Sequence, residues 1–266
     1  MSSPVKALRD SAVVTRRNLI TIVRLPDLAF GATVQPLMFV LLFAYVFGGS
    51  LGGGDYREFL IAGIFAQTVA FNAAFTTIGM ANDLQKGIID RFRSLPMSRV
   101  AVILGRTTSD LVLSAITLVV MATCGLIVGW RIRGGLVDAV AGFAVMLLFA
   151  FAMSWVGVTV GLMARSVEVA QSAGLIWLFP FTFISSAFVS AASLPGPLRL
   201  LAEWNPVTAV AGAGRDLFAN KTPAGFAVST GWPAQHSVLY ATLSSVGIIV
   251  LFMPLAVAKY RSVSTR

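Results

Sequence analysis

Charge is absent from this chain for long distances at a time, and no other feature limits its fold as tightly. Between Asp27 and Asp55 lie 27 residues without Asp, Glu, Lys or Arg; the gaps Glu58–Asp83, Asp110–Arg131, Asp138–Arg165 and Glu168–Arg199 hold 24, 20, 26 and 30. A helix needs about 20 apolar residues to cross a bilayer. Each gap therefore predicts a span, at 28–47, 59–80, 107–129, 139–164 and 169–192, and a sixth at 237–258 ends at Lys259. Pro36, Pro180 and Pro254 fall inside these spans. Neighbouring helices compensate a broken backbone bond in lipid, so these prolines predict kinks and not ends. Only 12% of the residues are charged and 57% are hydrophobic, whereas a soluble domain carries about 25% charged residues to cover its surface. The expected fold is an all-α polytopic membrane protein with six transmembrane helices over 28–258.

The net charge of +9 suggests nucleic acid at first sight, but the basic residues flank apolar runs instead of forming one patch. No nucleic-acid partner is expected. Basic residues in the connections orient a membrane protein, with the richer side cytoplasmic. One side carries 14: Lys6, Arg9, Arg16, Arg17 and Arg24; Lys86, Arg91, Arg93, Arg99 and Arg106; Arg165; and Lys259, Arg261 and Arg266. The other carries six: Arg57, Arg131, Arg133, Arg199, Arg215 and Lys221. Both termini, including the 259–266 tail, are thus expected in the cytoplasm. Arg131 and Arg133 are a local exception in a short outer loop. The apolar run after the basic arm is too long for a signal-peptide core, so no cleaved signal is expected.

Three segments are not spans. In the arm, 1–27, Leu8, Ala12, Leu19 and Val23 share a helical stripe, with Lys6, Arg9, Arg17 and Arg24 on an adjoining face. That pattern predicts an amphipathic interfacial helix on the inner membrane surface; the alternative is a disordered basic arm. In the loop 83–96, Leu84, Ile88, Phe92 and Leu95 share one stripe, Lys86, Asp90 and Arg93 point elsewhere, and Pro96 ends the helix. Such an edge suits docking on a partner protein, against a solvated loop with chance periodicity. In 194–235, Pro195-Gly196-Pro197 turns the chain, Leu198, Leu201 and Trp204 mark a short amphipathic piece, and Asn205-Pro206 opens a mostly small and apolar stretch ending near Arg215-Asp216. This predicts two short re-entrant helices with Trp204 and Trp232 at the interface, against a plain folded loop. Asn205, Pro206 and Arg215 are the candidate outer-gate residues, Arg215 as a positional anchor.

Catalytic equipment is sparse. No Gly-Lys dipeptide occurs, so a phosphate-binding loop of the Walker type is impossible. His236 and Cys124 are the single histidine and cysteine, which leaves no metal site and no intrachain disulfide to expect. Arg106 and Asp110 stand four residues apart on one helical face. They read as a snorkelling pair at the inner interface, the alternative being a proton relay. Proton-coupled transport calls for more intramembrane ionisable groups, so energy is expected from a separate subunit.

This layout resembles the type-2 ABC transporter permeases, in particular the bacterial daunorubicin/doxorubicin-resistance permeases. The resemblance covers nearly the whole chain. It is carried by Lys86-Gly87, by Arg91-Phe92-Arg93-Ser94-Leu95-Pro96-Met97-Ser98-Arg99, by Gly105-Arg106 and Asp110, and by Asn205-Pro206 with Arg215. Where the family often has a Glu shortly before the Lys-Gly pair, Asp83 stands here. The resemblance implies a pair of permease subunits, a second copy or a paralogue, working with a pair of ABC ATPase subunits that carry ATP and Mg. This chain would be no enzyme and hold no cofactor. The arm becomes a connecting helix and 83–96 a cytoplasmic coupling helix, with Leu84, Lys86, Ile88, Arg91, Phe92, Arg93 and Leu95 facing the ATPase. The implied activity is export of an amphipathic drug or lipid across a bacterial cell membrane. Export of a polysaccharide or envelope precursor, or a non-transport immunity or assembly role, are the alternatives. Phe39, Phe43, Phe71 and Phe75 are weak candidates for lining a substrate path, since such residues more often pack or face lipid.

Overall fold

A computed structural model describes residues 4–24, 34, 36–42, 45, 53–93, 99–220, 222–223 and 226–262. The described residues are almost entirely helical, and no strand occurs among them. In chain order the helices are α1 (Pro4–Arg24), α2 (Gly53–Gln85), α3 (Ile88–Arg93), α4 (Arg99–Val128), α5 (Leu136–Met163), α6 (Val167–Phe183), a 3-10 turn at Ala191–Ser193, α7 (Gly196–Glu203), α8 (Pro206–Leu217), α9 (Trp232–Gln235) and α10 (Ser237–Ser262).

Among the described residues, 4 helices are long and apolar enough to cross a membrane: α2, α4, α5 and α10. They coincide with the second, third, fourth and sixth expected spans. The first, 28–47, lies largely outside the described residues, although 34 and 36–42 are helical. The fifth departs from expectation. Helix α6 starts at a Ser166 cap, whose hydroxyl accepts Val169 N–H, and ends after 17 residues at Phe183 instead of running to 192. The residues beyond are uncharged, but their carbonyls are used by side chains elsewhere: Ile184 by Asn205, and Ser186 and Ala187 by Arg215. Absence of charge there reflects burial in irregular backbone, not helix. Pro180 and Pro254 are both accommodated inside helices.

Helix α2 is the hub. Of its apolar window 89% is inside the protein, against 33%, 44% and 17% for α4, α5 and α10. Lipid tails are as apolar as Leu, so close packing and interhelical hydrogen bonds hold such helices together. On α5, Gly157 and Gly161 let α2 approach closely. A Cβ at Gly157 would lie 2.5 Å from Ala73 O, and one at Gly161 2.6 Å from Thr77 O. Thr77 Oγ1 donates to Gly157 O at 3.1 Å. Between α2 and α4, Asn72 donates to Ser114 Oγ at 3.0 Å. With 33 residues, α2 is roughly 50 Å long, so it outreaches a hydrocarbon core of about 30 Å.

Helix α1 packs along the start of α4. Val14, buried, sits against Gly105, where a Cβ would meet the Val14 Cβ at 2.6 Å. Thr15 Oγ1 donates to Gly105 O at 3.1 Å and Asn18 Nδ2 to Ser109 Oγ at 3.2 Å. The packed face is not the expected apolar stripe: Ala12 is exposed and Leu19 half-buried, and the side chains of Leu8 and Val23 lie outside the described residues. The slot at Gly105 and the polar pairs, not hydrophobicity alone, choose the packed face.

The loop expected to be one helix over 83–96 is divided. Helix α2 continues through Gln85, Lys86–Gly87 form a turn, and α3 begins at Ile88. Gly87 has φ +63°, the left-handed region that glycine enters without penalty, and this turn breaks the stripe that joined Leu84 to Phe92.

Candidate functional site

At the α1 end of the bundle, α1, α2 and α4 converge on a ladder of charges. Arg106 on α4 donates from Nε to Asp110 Oδ2 at 3.2 Å, the i,i+4 pair expected from spacing. Asp110 also accepts from Thr76 Oγ1 of α2 at 2.8 Å. The other side of the Arg106 guanidinium lies 3.7 Å from Asp83 Oδ2, near the end of α2. Asp83 in turn lies 3.6 Å from Arg17 of α1, and the Arg17 guanidinium stands 5.3 Å over the Phe92 ring of α3. Arg106 and Asp110 are thus more than a snorkelling pair. They are half of a four-member chain, Arg17–Asp83–Arg106–Asp110, that ties three helices together beside the Lys86–Gly87 turn. Gly79 makes room for it: a Cβ there would lie 1.9 Å from an Arg106 guanidinium nitrogen. A cavity of about 210 Å³ opens at the ladder, with Phe75, Ile78 and Leu113 on its apolar side.

Around the turn the expected docking residues separate into two groups. Lys86 and Arg91 are exposed. Leu84 and Phe92 are half-buried and pack against Met80, Ile89, Val102 and Ile103 of the protein's own core. Ile89, absent from the expected stripe, is the buried residue among the described side chains of α3. Ile88 is half-buried and borders the cavity. Arg93 ends α3, with its side chain outside the described residues, as is all of Leu95. The apolar edge expected to face a partner is therefore partly taken by the chain itself.

At the opposite end, Asn205 and Arg215 lock α8 in place. The Asn205 side chain caps α8, accepting Val207 N–H at 2.8 Å, and donates to Phe181 O and Ile184 O at 2.6 and 2.7 Å. Pro206 occupies the first turn, where its missing N–H costs little. Arg215 is buried. Its Nε donates to Phe59 O at 2.9 Å, and its terminal nitrogens to Ser186 O at 2.7 Å, Ala187 O at 3.2 Å and Ser186 Oγ at 3.3 Å. The guanidinium lies 3.5 Å above the Phe59 ring. So Arg215 is held by three carbonyls and one hydroxyl of its own chain.

Residues outside the expected gate set complete this end. Arg133 forms a forked pair with buried Glu58, with nitrogen–oxygen distances of 2.8 to 3.0 Å. Trp130 Nε1 donates to Asn220 Oδ1 at 2.8 Å, and Asn220 donates to Arg131 O at 2.9 Å. Arg133 N–H reaches Phe218 O at 2.9 Å. Of the two arginines that break the charge rule, Arg133 ties the 130–134 loop to Glu58 of α2 and, through its backbone, to Phe218 at the end of α8, while the Arg131 guanidinium donates to Leu126 O and Trp130 O beside it. Trp204, Trp232 and Tyr240 form a separate cluster, with ring centroids 5.6 to 6.5 Å apart. Of the aromatic candidates, Phe71 meets Phe179 edge-on at 5.4 Å and Phe39 packs on the core; Phe75 borders the cavity at the ladder, and Phe43 lies outside the described residues.

The family model described as ABC-2 type transporter matches residues 10–218. The chain is 29% identical over 263 residues to the daunorubicin resistance ABC transporter permease protein DrrB1 of Streptomyces coeruleorubidus, covering 97% of this chain and 89% of that protein. It is 25% identical over 264 residues to a probable doxorubicin resistance ABC transporter permease protein DrrC of Mycobacterium tuberculosis, covering 97% and 88%. To a putative transport permease ycf38 of Pyropia yezoensis it is 26% identical over 208 residues, covering 74% and 69%.

Proposed function

This chain belongs to the ABC-2 type transporter family as a permease component, and from that premise we propose that it forms the membrane path of an exporter driven by separate ATPase subunits, carrying an amphipathic drug or lipid out of a bacterial cell. ATP and Mg act on the partner. A second permease, identical or paralogous, completes the path, and both termini face the cytoplasm. The observation that carries this reading is the ladder Arg17–Asp83–Arg106–Asp110 beside the Lys86–Gly87 turn, whose Lys86 is exposed. A push on that turn by a partner reaches α1, α2 and α4 together. Four charges that satisfy one another transmit displacement without exposing an unpaired ion to lipid. A six-span path further requires the expected span over 28–47 and a crossing by α6. At the far end α7 and α8, held by Asn205 and Arg215, close the outer exit.

Because Leu84 and Phe92 serve the core, the exposed charges are the contact to test. Lys86→Glu with Arg91→Glu is expected to reduce co-purification of the ATPase subunit and to abolish ATP-driven efflux at an unchanged membrane level. Normal association and efflux by the double variant would remove this turn from the coupling path.

A further inference from the structure

The two flanks of α1 treat their charges differently. On one flank Arg17 is paired with Asp83. On the other, an open groove of about 660 Å³ runs between α1 and α4, with Arg16 and Arg24 at its rim and Ala12, Leu19, Ile20 and Thr108 along its floor and wall. No carboxylate lines that groove among the described residues. Ala12, Arg16, Ile20 and Arg24 follow one another at intervals of four, so they form one ladder along the helix. All four are exposed. The guanidinium-bearing residues stand two turns apart, roughly 12 Å along the axis, with Ile20 between them.

From this arrangement we infer that the groove between α1 and α4 is a binding site for an anionic phospholipid. The headgroup phosphate sits between Arg16 and Arg24, and an acyl chain lies along Ile20, Leu19 and Ala12 against α4. Charge complementarity selects this occupant. A zwitterionic headgroup brings no net charge to two cations that have no carboxylate beside them among the described residues, whereas an anionic one does, and guanidinium forks match phosphate oxygens. The site belongs to the membrane because α4 is one of the spans and α1 lies along its end. A lipid seated there bridges α1 to α4 on the flank opposite the Arg17–Asp83 pair, so it holds the helix that supplies the first rung of the ladder. The inference goes beyond the export role and is independent of which substrate is carried.

The test uses the full-length chain reconstituted in vesicles of equal phosphatidylglycerol and phosphatidylcholine, extracted into detergent, with retained lipid counted by mass spectrometry. The wild type is expected to retain phosphatidylglycerol selectively. R16Q/R24Q is expected to retain it roughly 30-fold less tightly, the size of effect for two basic side chains near an anionic surface, and R16K/R24K to keep most of it. Thr108→Trp fills the groove while leaving both arginines, and is expected to lose the lipid as well. Retention by R16Q/R24Q equal to wild type would overturn the proposal. So would full retention by Thr108→Trp, because attraction to the charged surface alone would then explain the binding. Displacement of the lipid by millimolar inorganic phosphate would also contradict it, since the groove would then recognise a phosphate without a lipid tail.

Discussion

A methyl group on Gly79 would sit 1.9 Å from the Arg106 guanidinium, so this one hydrogen side chain decides whether Arg106 can cross α2 toward Asp83. Gly79→Ala is therefore expected to break the middle of the ladder while leaving the apolar surface of α2 intact. The Arg106–Asp83 contact is an ion pair at 3.7 Å, worth about 1 kcal/mol, so ATP-driven efflux should fall about fivefold at unchanged protein level; efflux at the wild-type rate would show that the ladder carries no motion. Arg215 offers a second case. Its planar fork satisfies carbonyls on α2 and on the 186–187 turn at once, which an ammonium cannot reproduce. Arg215→Lys should lower the Tm by roughly 5–10 °C without weakening association with the ATPase. At this scale the sequence was informative where partners are local. Arg106 and Asp110 follow from i,i+4 spacing, and Asn205-Pro206 from capping chemistry. It was silent where they are distant. Arg17 and Asp83, or Arg133 and Glu58, are far apart in the chain, and nothing in either neighbourhood announces the other.

Helix limits are set by what happens at the ends. The spans α2, α4, α5 and α10 were legible because lipid demands long uncharged runs. The end of α6 was not, because the uncharged run continued past Phe183 into backbone whose carbonyls Asn205 and Arg215 consume. Nor was the break at Gly87, since periodicity across a left-handed glycine looks the same as periodicity within a helix. The segment containing α7 and α8 is pinned by a titratable contact. Glu203, at the end of α7, accepts from Ser229 Oγ at 2.5 Å and from Arg199 Nε at 2.9 Å. The Ser229 hydroxyl first, and Arg199 next, hold its carboxyl below the usual carboxylate range. A lowered folded value means that the contact stabilises fully above the unfolded pKa of about 4.3 and is lost as pH falls through the folded value. Protection from hydrogen exchange over 226–230, taken relative to the intrinsic exchange rate, should accordingly be high at neutral pH and be lost as pH falls through the lowered Glu203 value. Glu203→Gln should abolish that acid-dependent step; an unchanged step would place the titrating group elsewhere.

As a whole the molecule is a bundle around α2, with a charge ladder at one end and a hydrogen-bonded cover of short helices at the other. Its class was readable from the sequence because solvent dictates it: with 12% charged residues the chain has to face lipid. What it carries was not readable, since apolar and aromatic side chains that pack, face lipid or touch a substrate look alike. The account stands on a division of labour in which this chain supplies the path and another chain the energy. The direct measurement is substrate accumulation in sealed proteoliposomes containing this permease, with and without its ATPase subunit. The account predicts uptake into inside-out vesicles only when the ATPase subunit, ATP and Mg are all present. Uptake by the permease alone, driven by a proton gradient and indifferent to ATP, would contradict it.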